Sequence, residues 1–443
     1  MNEYTTGEGA AQALGERLVR YVQPVLEQLD MLLDKRLVRT VLGLLQVMLL
    51  LRHNRYGLLL SELGGYLLGP THAPAGTKRI SNLLRSPKWS HRVVDDFLWR
   101  QANQHVETLQ AQGHRALVVW DESVIEKPES LASEGLCAVR STKSPRYTRI
   151  KRGFYNPPLE RPVFVPGFYW LAVMVMGVAG TPTLAAMRWW TRRGAHAQER
   201  TPLCEALLAQ CAHAWGKQVL HLFDRGYASG PWLQRFVTAD IAFIVRWRNS
   251  YKLQDEKGQR KPGDMCRGRR SVAHRNLWDA RRGCERRTGL LYFPVRHPQL
   301  PDVPFWLVVA RPKDRLAWHF LTNQPITSQE EAWAVIYAYR RRWQIETAFR
   351  YLKSELAIES PRLWSWHNRL KLFSLVALLY AFLLSLLAPA HEPLKHYLLH
   401  DWCHRTGERL RRVTLPLYRL RSAIVRLWLA YPTALIPLWQ NSG

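Results

Sequence analysis

The chain has 443 residues, 47% of them hydrophobic and 11% aromatic, which excludes a disordered polypeptide. It is too long for one small core, so about two to four packed units are expected. Lysine and arginine number 63 against 35 acids, a formal net charge of +28 that runs along most of the sequence. Such an excess calls for a polyanionic partner, nucleic acid first, with loose binding to membranes or RNA as the plainer alternative.

The N-terminal stretch MNEYTTGEGAAQALGERLVR lacks an apolar signal core. Residues 1–110 carry spaced leucines in helical register, in RLVRYVQPVLEQLDMLL and VRTVLGLLQVMLLLRHN. GLLLSELGGYLLG and GTKRISNLLRSPKW predict two short helices around a Gly-rich turn, the second capped by Thr77. That helix shows Lys78, Arg79, Asn82 and Arg85 outward. It is either the reading element of a helix-turn-helix or a basic surface helix on a bundle. From about 111 the pattern turns to strands. ALVVWDES is a short buried strand carrying Asp121. FYWLAVMVMGVAG and TPTLAAMRWWT are two more, joined by a Gly/Pro turn. RTPLCEALLAQCAHAWG is a helix, QVLHLFDRGYAS a strand ending at Asp224, PWLQRFVTAD a short helix and IAFIVRWR a further strand.

Residues 251–315 read as a β-rich insertion that opens with a polar, basic, Gly-rich stretch. Arg267, Arg269 and Arg270 there form either a phosphate-binding loop or a basic linker. Trp278, Trp306 and Trp318 suit core packing or the stacking of an extruded base. WHFLTNQP returns as a strand, and Ser328 with Glu331 predicts a capping box for the next helix. Leu372 to Ala390 is uncharged and long enough to span a bilayer. A helix buried on all sides of a large core explains it equally. The tail, 391–443, is basic and amphipathic.

The six cysteines (137, 204, 211, 266, 284 and 403) form no CxxC pair and read as reduced, cytosolic thiols. Cys204, Cys211 and His213 share a segment, but no second ligand pair completes a zinc site. His221, in mid-strand, reads as a satisfied core histidine.

YRRRWQIETAFRYLKSEL, Tyr339 to Leu356, places Tyr339, Arg342, Glu346 and Lys353 within an arc of about 60° on a continuous helix. Ile345, Phe349, Leu352 and Leu356 form the adjoining apolar face. In a sheet built from the strand order above, the first and fourth strands can be neighbours. Asp121 and Asp224 then point into one cleft and the Glu346 helix closes over it. Three carboxylates so placed repel one another, and hard divalent cations remove that cost.

Tyr339–x2–Arg342–x3–Glu346–x6–Lys353 resembles the Y-R-E-K signature of bacterial insertion-sequence transposases of the DDE class. Asp224–Arg225–Gly226–Tyr227 is similar to the group's motif around its second aspartate, and Trp120–Asp121–Glu122–Ser123 to the first. Glu122 departs from the small residue commoner there, and strand alternation turns it away from Asp121. The resemblance covers roughly 111–390. It implies an α/β, ribonuclease-H-like mixed sheet with flanking helices, a β-rich insertion, and helical N- and C-terminal regions. The implied units are a DNA-binding region at 1–110, a catalytic domain in two parts at 111–250 and 316–390 around the insertion, and the C-terminal region at 391–443. Asp121, Asp224 and Glu346 would hold two Mg²⁺ ions, with Mn²⁺ as substitute. Water would nick the element's end, and the freed 3′-hydroxyl would attack a second strand and later target DNA. A hairpin intermediate is left open. Tyr339, Arg342 and Lys353, with Arg225 and Tyr227, would touch DNA near the cut, and Lys78, Arg79, Arg85, Arg267, Arg269 and Arg270 further away. The implied partners are element ends and target DNA, with a homodimer on paired ends, no membrane, and a cytoplasmic, nucleoid-associated location. A DNA-binding regulator without chemistry and a structure-specific nuclease are the alternatives.

Overall fold

The computed structural model describes residues 6–51, 56–127, 132–143, 162–279, 283–404, 413 and 415–432. Five helices come first: α1 (Gly7–Asp30), α2 (Lys35–Leu50), α3 (Leu60–Leu68), α4 (Ala73–Arg85) and α5 (Arg92–Ala111). Thr6 and Asp34 cap α1 and α2 by accepting from backbone amides three residues on. The expected cap at Thr77 is not found. A three-residue 3₁₀ turn at Pro70–His72 leads into α4, which begins at Ala73. The Thr77 hydroxyl instead donates to the carbonyls of Ala73 and Leu60, joining α4 to α3. The two helices cross at glycines. A Cβ on Gly76 would stand 2.2 Å from the Gly64 carbonyl oxygen, closer than any side chain allows.

The strands follow: β1 (Leu117–Glu126), β2 (Cys137–Arg140), β3 (Phe164–Met176) and β4 (Thr183–Trp190). Then come α6 (Arg200–Trp215), β5 (Leu220–Phe223), α7 (Gly230–Thr238) and β6 (Phe243–Trp247). β2 was not expected, because four residues of alternating burial carry almost no periodic signal. β4, β3, β1, β5 and β6 lie side by side, with β3 antiparallel to both β4 and β1. β5 is parallel to β1 and to β6. That order and sense, with helices on both faces, is the ribonuclease-H-like arrangement.

The insertion contributes β7 (Leu253–Asp255), β8 (Gly258–Arg260), the short α8 (Pro262–Cys266), β9 (Ala273–Asp279), β10 (Cys284–His297) and β11 (Leu300–Pro312). It forms no separate layer. β12 (Trp318–Thr322) pairs antiparallel with β6 and with β11, so β10 and β11 extend the same sheet beyond its edge. The remaining helices are α9 (Gln329–Arg341), α10 (Trp343–Ser354), α11 (Trp366–Ser385), α12 (Glu392–Asp401) and α13 (Leu417–Ala430). The capping box of Ser328 and Glu331 is present at α9.

Two cores flank the sheet, and alternation along β1 assigns its residues to them. Leu117, Val119 and Ile125 face one side, with α9, α10 and α11; Val118 and Trp120 face the other, with α6 and α7. α11 is the one helix among the described residues long and apolar enough to cross a membrane. Here every residue from Leu370 to Leu384 is buried, against α1, α2, α4, α5, α13 and β4. Each such leucine or phenylalanine contributes about 1.5–3 kcal/mol by leaving water, which explains an uncharged stretch from Leu372 onward inside this core. Arg369 and Lys371 in its first half are buried too, and Lys371 donates to the carbonyls of Leu84 and Ser86 at the end of α4. Arg421 of α13 likewise donates to the carbonyls of Met48, Leu49 and Leu51 at the end of α2, and to that of Glu355 after α10. The terminal helices are thus bonded to one another and to the segment after α10 rather than linked by a tether.

Candidate active site

Backbone pairing between β1 and β5 aligns Leu117 with Leu220 and Val119 with Leu222. Continued by two residues, that register puts Asp121 level with Asp224, the residue that follows β5. Asp121 belongs to the odd-numbered side of β1, which faces α10. Asp224 caps the 3₁₀ turn Arg225–Tyr227, and its Oδ1 accepts from the Gly226 amide at 2.7 Å. A Cβ at position 226 would come within 2.8 Å of that oxygen, so glycine is required there.

The continuous helix expected through Tyr339–Leu356 is interrupted. α9 ends at Arg341 and α10 starts at Trp343, with Arg342 as the shared cap. The Arg342 amide reaches back to Tyr339, and the Ile345 amide to Arg342, both over three residues rather than four. The tightened turn falls at the residue that joins the acids. One Arg342 amino group donates to Asp121 Oδ2 at 2.8 Å, and the other to Glu346 Oε1. Below the break the expected apolar face holds: Ile345, Phe349, Leu352 and Leu356 are buried.

Asp121 is 14% exposed, beneath Arg342. Burial pushes its carboxyl up to about 7; Arg342 opposes this, and the charges of Asp224 and Glu346 add to it. Desolvation therefore outweighs a short ion pair, as is common where a charge leaves water. Tyr339 is held up at about 12 by burial, against the pull of Arg342 and Arg246. Its hydroxyl is buried and has no hydrogen-bond partner among the described residues.

Asp224, Glu346, Tyr339 and Arg342 line a cleft of 610 Å³. Its walls add arginines at 225, 246, 286, 315 and 340, and the exposed indoles of Trp278 and Trp343. Of these arginines the sequence pointed to Arg225 alone. Arg246 was visible in principle, as the lone charge in the apolar strand FIVRW. Arg286 and Arg315 are brought in from the insertion, where both pair with Asp279, and nothing local in the sequence marks them.

The other expected contacts divide. Tyr227 is 1% exposed and its hydroxyl donates to Glu122 Oε1 at 2.6 Å, so it does not face DNA. Lys353 does not line the cleft; its ammonium lies 3.5 Å from Glu359. Lys78 and Arg85 are exposed on α4 and Arg79 is half-buried near Arg36, all away from the cleft. Arg85 instead borders a second groove, with Arg362 and Trp364. Arg267 pairs with Asp264, Arg269 lies over the Phe293 ring, and Arg270 is exposed; none reaches the cleft. Trp318 lies under Arg246 in the cleft wall, whereas Trp306 packs on the core. His221 is fully buried and its Nδ1 accepts from the Trp120 indole at 3.0 Å, but its Nε2 is buried with no hydrogen-bond partner among the described residues, so the core histidine expected to be satisfied is only half so.

Hard oxygen donors converging on one cleft suit a divalent cation of the magnesium type. Among the described residues, however, no three His, Cys, Asp or Glu side chains are close enough to hold a metal together. The Arg342 guanidinium stands between two of the three acids and supplies the positive charge. The carboxylate chemistry of the donor set suits such an ion, while the arrangement with Arg342 bonded to Asp121 and Glu346 holds the acids by a guanidinium instead.

Residues 182–382 match the family model of the transposase DDE domain, a span that includes Asp224 and Glu346 and stops short of Asp121. Comparison with curated proteins finds no match. Among solved structures, the chain is similar to the piggyBac transposase in its synaptic complex with hairpin DNA, seen by cryo-electron microscopy. That similarity covers 100% of this chain and 84% of the other, at 11% identity and a TM-score of 0.42.

Proposed function

We propose that the chain is a DDE-type DNA transposase that cuts DNA at the ends of a mobile element and joins them to a target. The observation that carries this is the Arg342 guanidinium, which bridges Asp121 and Glu346, remote in sequence, at the edge of the arginine-lined cleft that Asp224 and Glu346 line. The transposase DDE domain matched over residues 182–382 supports the same reading.

Asp121, Asp224 and Glu346 would hold two Mg²⁺ ions or Mn²⁺. When bound, such a pair activates water and stabilises the leaving oxygen in phosphodiester chemistry. The chain's own residues do the rest. Arg342, released from the acids it bridges, has a planar fork suited to a phosphate. Tyr339 brings an unpaired hydroxyl to the same wall. Arg225, Arg246 and Arg340 neutralise the backbone along the cleft, and Trp278 and Trp343 offer faces on which a base can stack. The element's own 3′-hydroxyl would serve as second nucleophile, and a homodimer would hold two ends. DNA in the cytoplasm is the substrate this implies.

The test is cleavage of supercoiled plasmid, and of oligonucleotides from the flanks of the coding region, in Mg²⁺ or Mn²⁺. Glu346→Gln should reduce cleavage to background while DNA binding persists. Undiminished cleavage by that variant would remove Glu346 from the site. A joining assay decides between a transposase and a nuclease on the same fold, since only the former links the 3′-end to a second duplex.

A further inference from the structure

The backbone ladder between β1 and β5 ends at Val119 and Leu222, two residues short of the acids. Beyond it the strand ends are free to splay, yet the spacing of Asp121 and Asp224 decides whether both can reach one ion. The residue after the first acid and the tyrosine three residues after the second are bonded to each other on the opposite face of the sheet. Tyr227 Oη donates to Glu122 Oε1 at 2.6 Å. Arg200, at the start of α6, grips the same carboxylate through Nε at 2.8 and 2.7 Å and through an amino group at 2.5 Å. Its guanidinium also lies 4.7 Å from the Tyr227 ring centroid and 5.3 Å from that of Trp232. Each end of this bridge leads directly to an acid. The Glu122 amide donates to Asp121 Oδ1 at 2.9 Å, and the Tyr227 amide to the Asp224 carbonyl at 3.2 Å.

We propose that Glu122, Tyr227 and Arg200 form a positioning staple that sets the separation of Asp121 and Asp224, and with it the affinity of the site for divalent cations. Glu122 turns away from the cleft by alternation along β1, and Tyr227 is buried, so neither touches DNA or the ion. Arg200 fixes the orientation of the half-buried Glu122 carboxylate by a two-point grip that lysine cannot reproduce. The Glu at position 122, out of place beside the first aspartate, thereby acquires a reason: it answers the tyrosine three residues after the second.

The inference rests on the proposed function, and the experiment separates the two. Mn²⁺ is titrated calorimetrically into the full-length chain and into Tyr227→Phe, Glu122→Gln, Arg200→Lys and Asp224→Asn. Plasmid cleavage is measured against Mn²⁺ concentration in parallel. Tyr227→Phe, which removes one oxygen atom from the bridge, should weaken Mn²⁺ binding about 10-fold, the low end of the 10–100-fold range for residues supporting metal ligands. The shift should fall on the Mn²⁺ concentration at half-maximal rate more than on the rate at saturation. Glu122→Gln combined with Tyr227→Phe should be no weaker than the weaker single variant, because both remove one bridge. If Glu122→Gln misfolds around an unpaired Arg200, Tyr227→Phe still gives the answer. Wild-type Mn²⁺ affinity in Tyr227→Phe would overturn the staple. Mn²⁺ binding by Asp224→Asn equal to that of wild type would overturn the functional assignment itself.

Discussion

Asparagine at position 121 removes a carboxyl that its surroundings push up to about 7, from an ordinary value of 3.8. The folded chain therefore binds this proton more tightly than the unfolded chain does. The resulting stability is full below the unfolded value and is lost as pH rises through the folded one. The displacement is about three pH units, and at about 1.36 kcal/mol per unit it amounts to about 4 kcal/mol between pH 4 and pH 7. Asp121 is 14% exposed, so solvent screening removes only part of this. Urea unfolding in EDTA from pH 4.5 to 8.5 measures it directly. Wild-type stability, taken relative to Asp121→Asn, should fall by up to about 1.4 kcal/mol per unit from pH 4.5 to 6.5 and flatten above about 7.5. Magnesium at about 100 times its dissociation constant should then restore about 2.7 kcal/mol to the wild type at pH 8, and nothing to the variant. Parallel pH curves for the two chains would refute the argument that burial and neighbouring acids crowd this carboxyl.

DNA affinity should drop steeply with salt. The six arginines lining the cleft, if each meets a phosphate, give a log–log slope of about −5, and a slope near zero by filter binding would place the DNA elsewhere. Valine at position 76 forces side-chain atoms against the Gly64 carbonyl where α3 crosses α4, and should lower the urea-derived stability by about 1–3 kcal/mol. The chain should stay in the supernatant of a detergent-free lysate after ultracentrifugation, because α11 is covered by protein on every side. Glutamate in place of Leu378 at its centre should abolish that soluble yield, as an unpaired charge in a core costs several kcal/mol.

Much of this molecule is written locally. Strand alternation along VVWDES, the capping box at Ser328 and Glu331, and the apolar stripe of Ile345, Phe349, Leu352 and Leu356 are near-neighbour effects. Each is decided by φ/ψ preference and burial within a turn or two, so sequence spacing is enough to read it. The spacing Tyr339–Arg342–Glu346 and the Asp224–Arg225–Gly226–Tyr227 turn were legible for the same reason. Packing alone decided the rest. The break falls at Arg342, whose guanidinium bonds Asp121 on a strand more than two hundred residues away. Tyr227 and Lys353 left the DNA-facing set because Glu122 and Glu359, invisible as partners in the linear order, hold them in the interior. Two of the cleft's other arginines, Arg286 and Arg315, come from an insertion whose strands join the central sheet by pairing β12 to β6, an edge choice that no window of residues encodes. Electrostatic contacts act across whatever the fold brings near, while periodicity acts along the chain. The elements and the acids could therefore be found from the order of residues, and the company the acids keep could not.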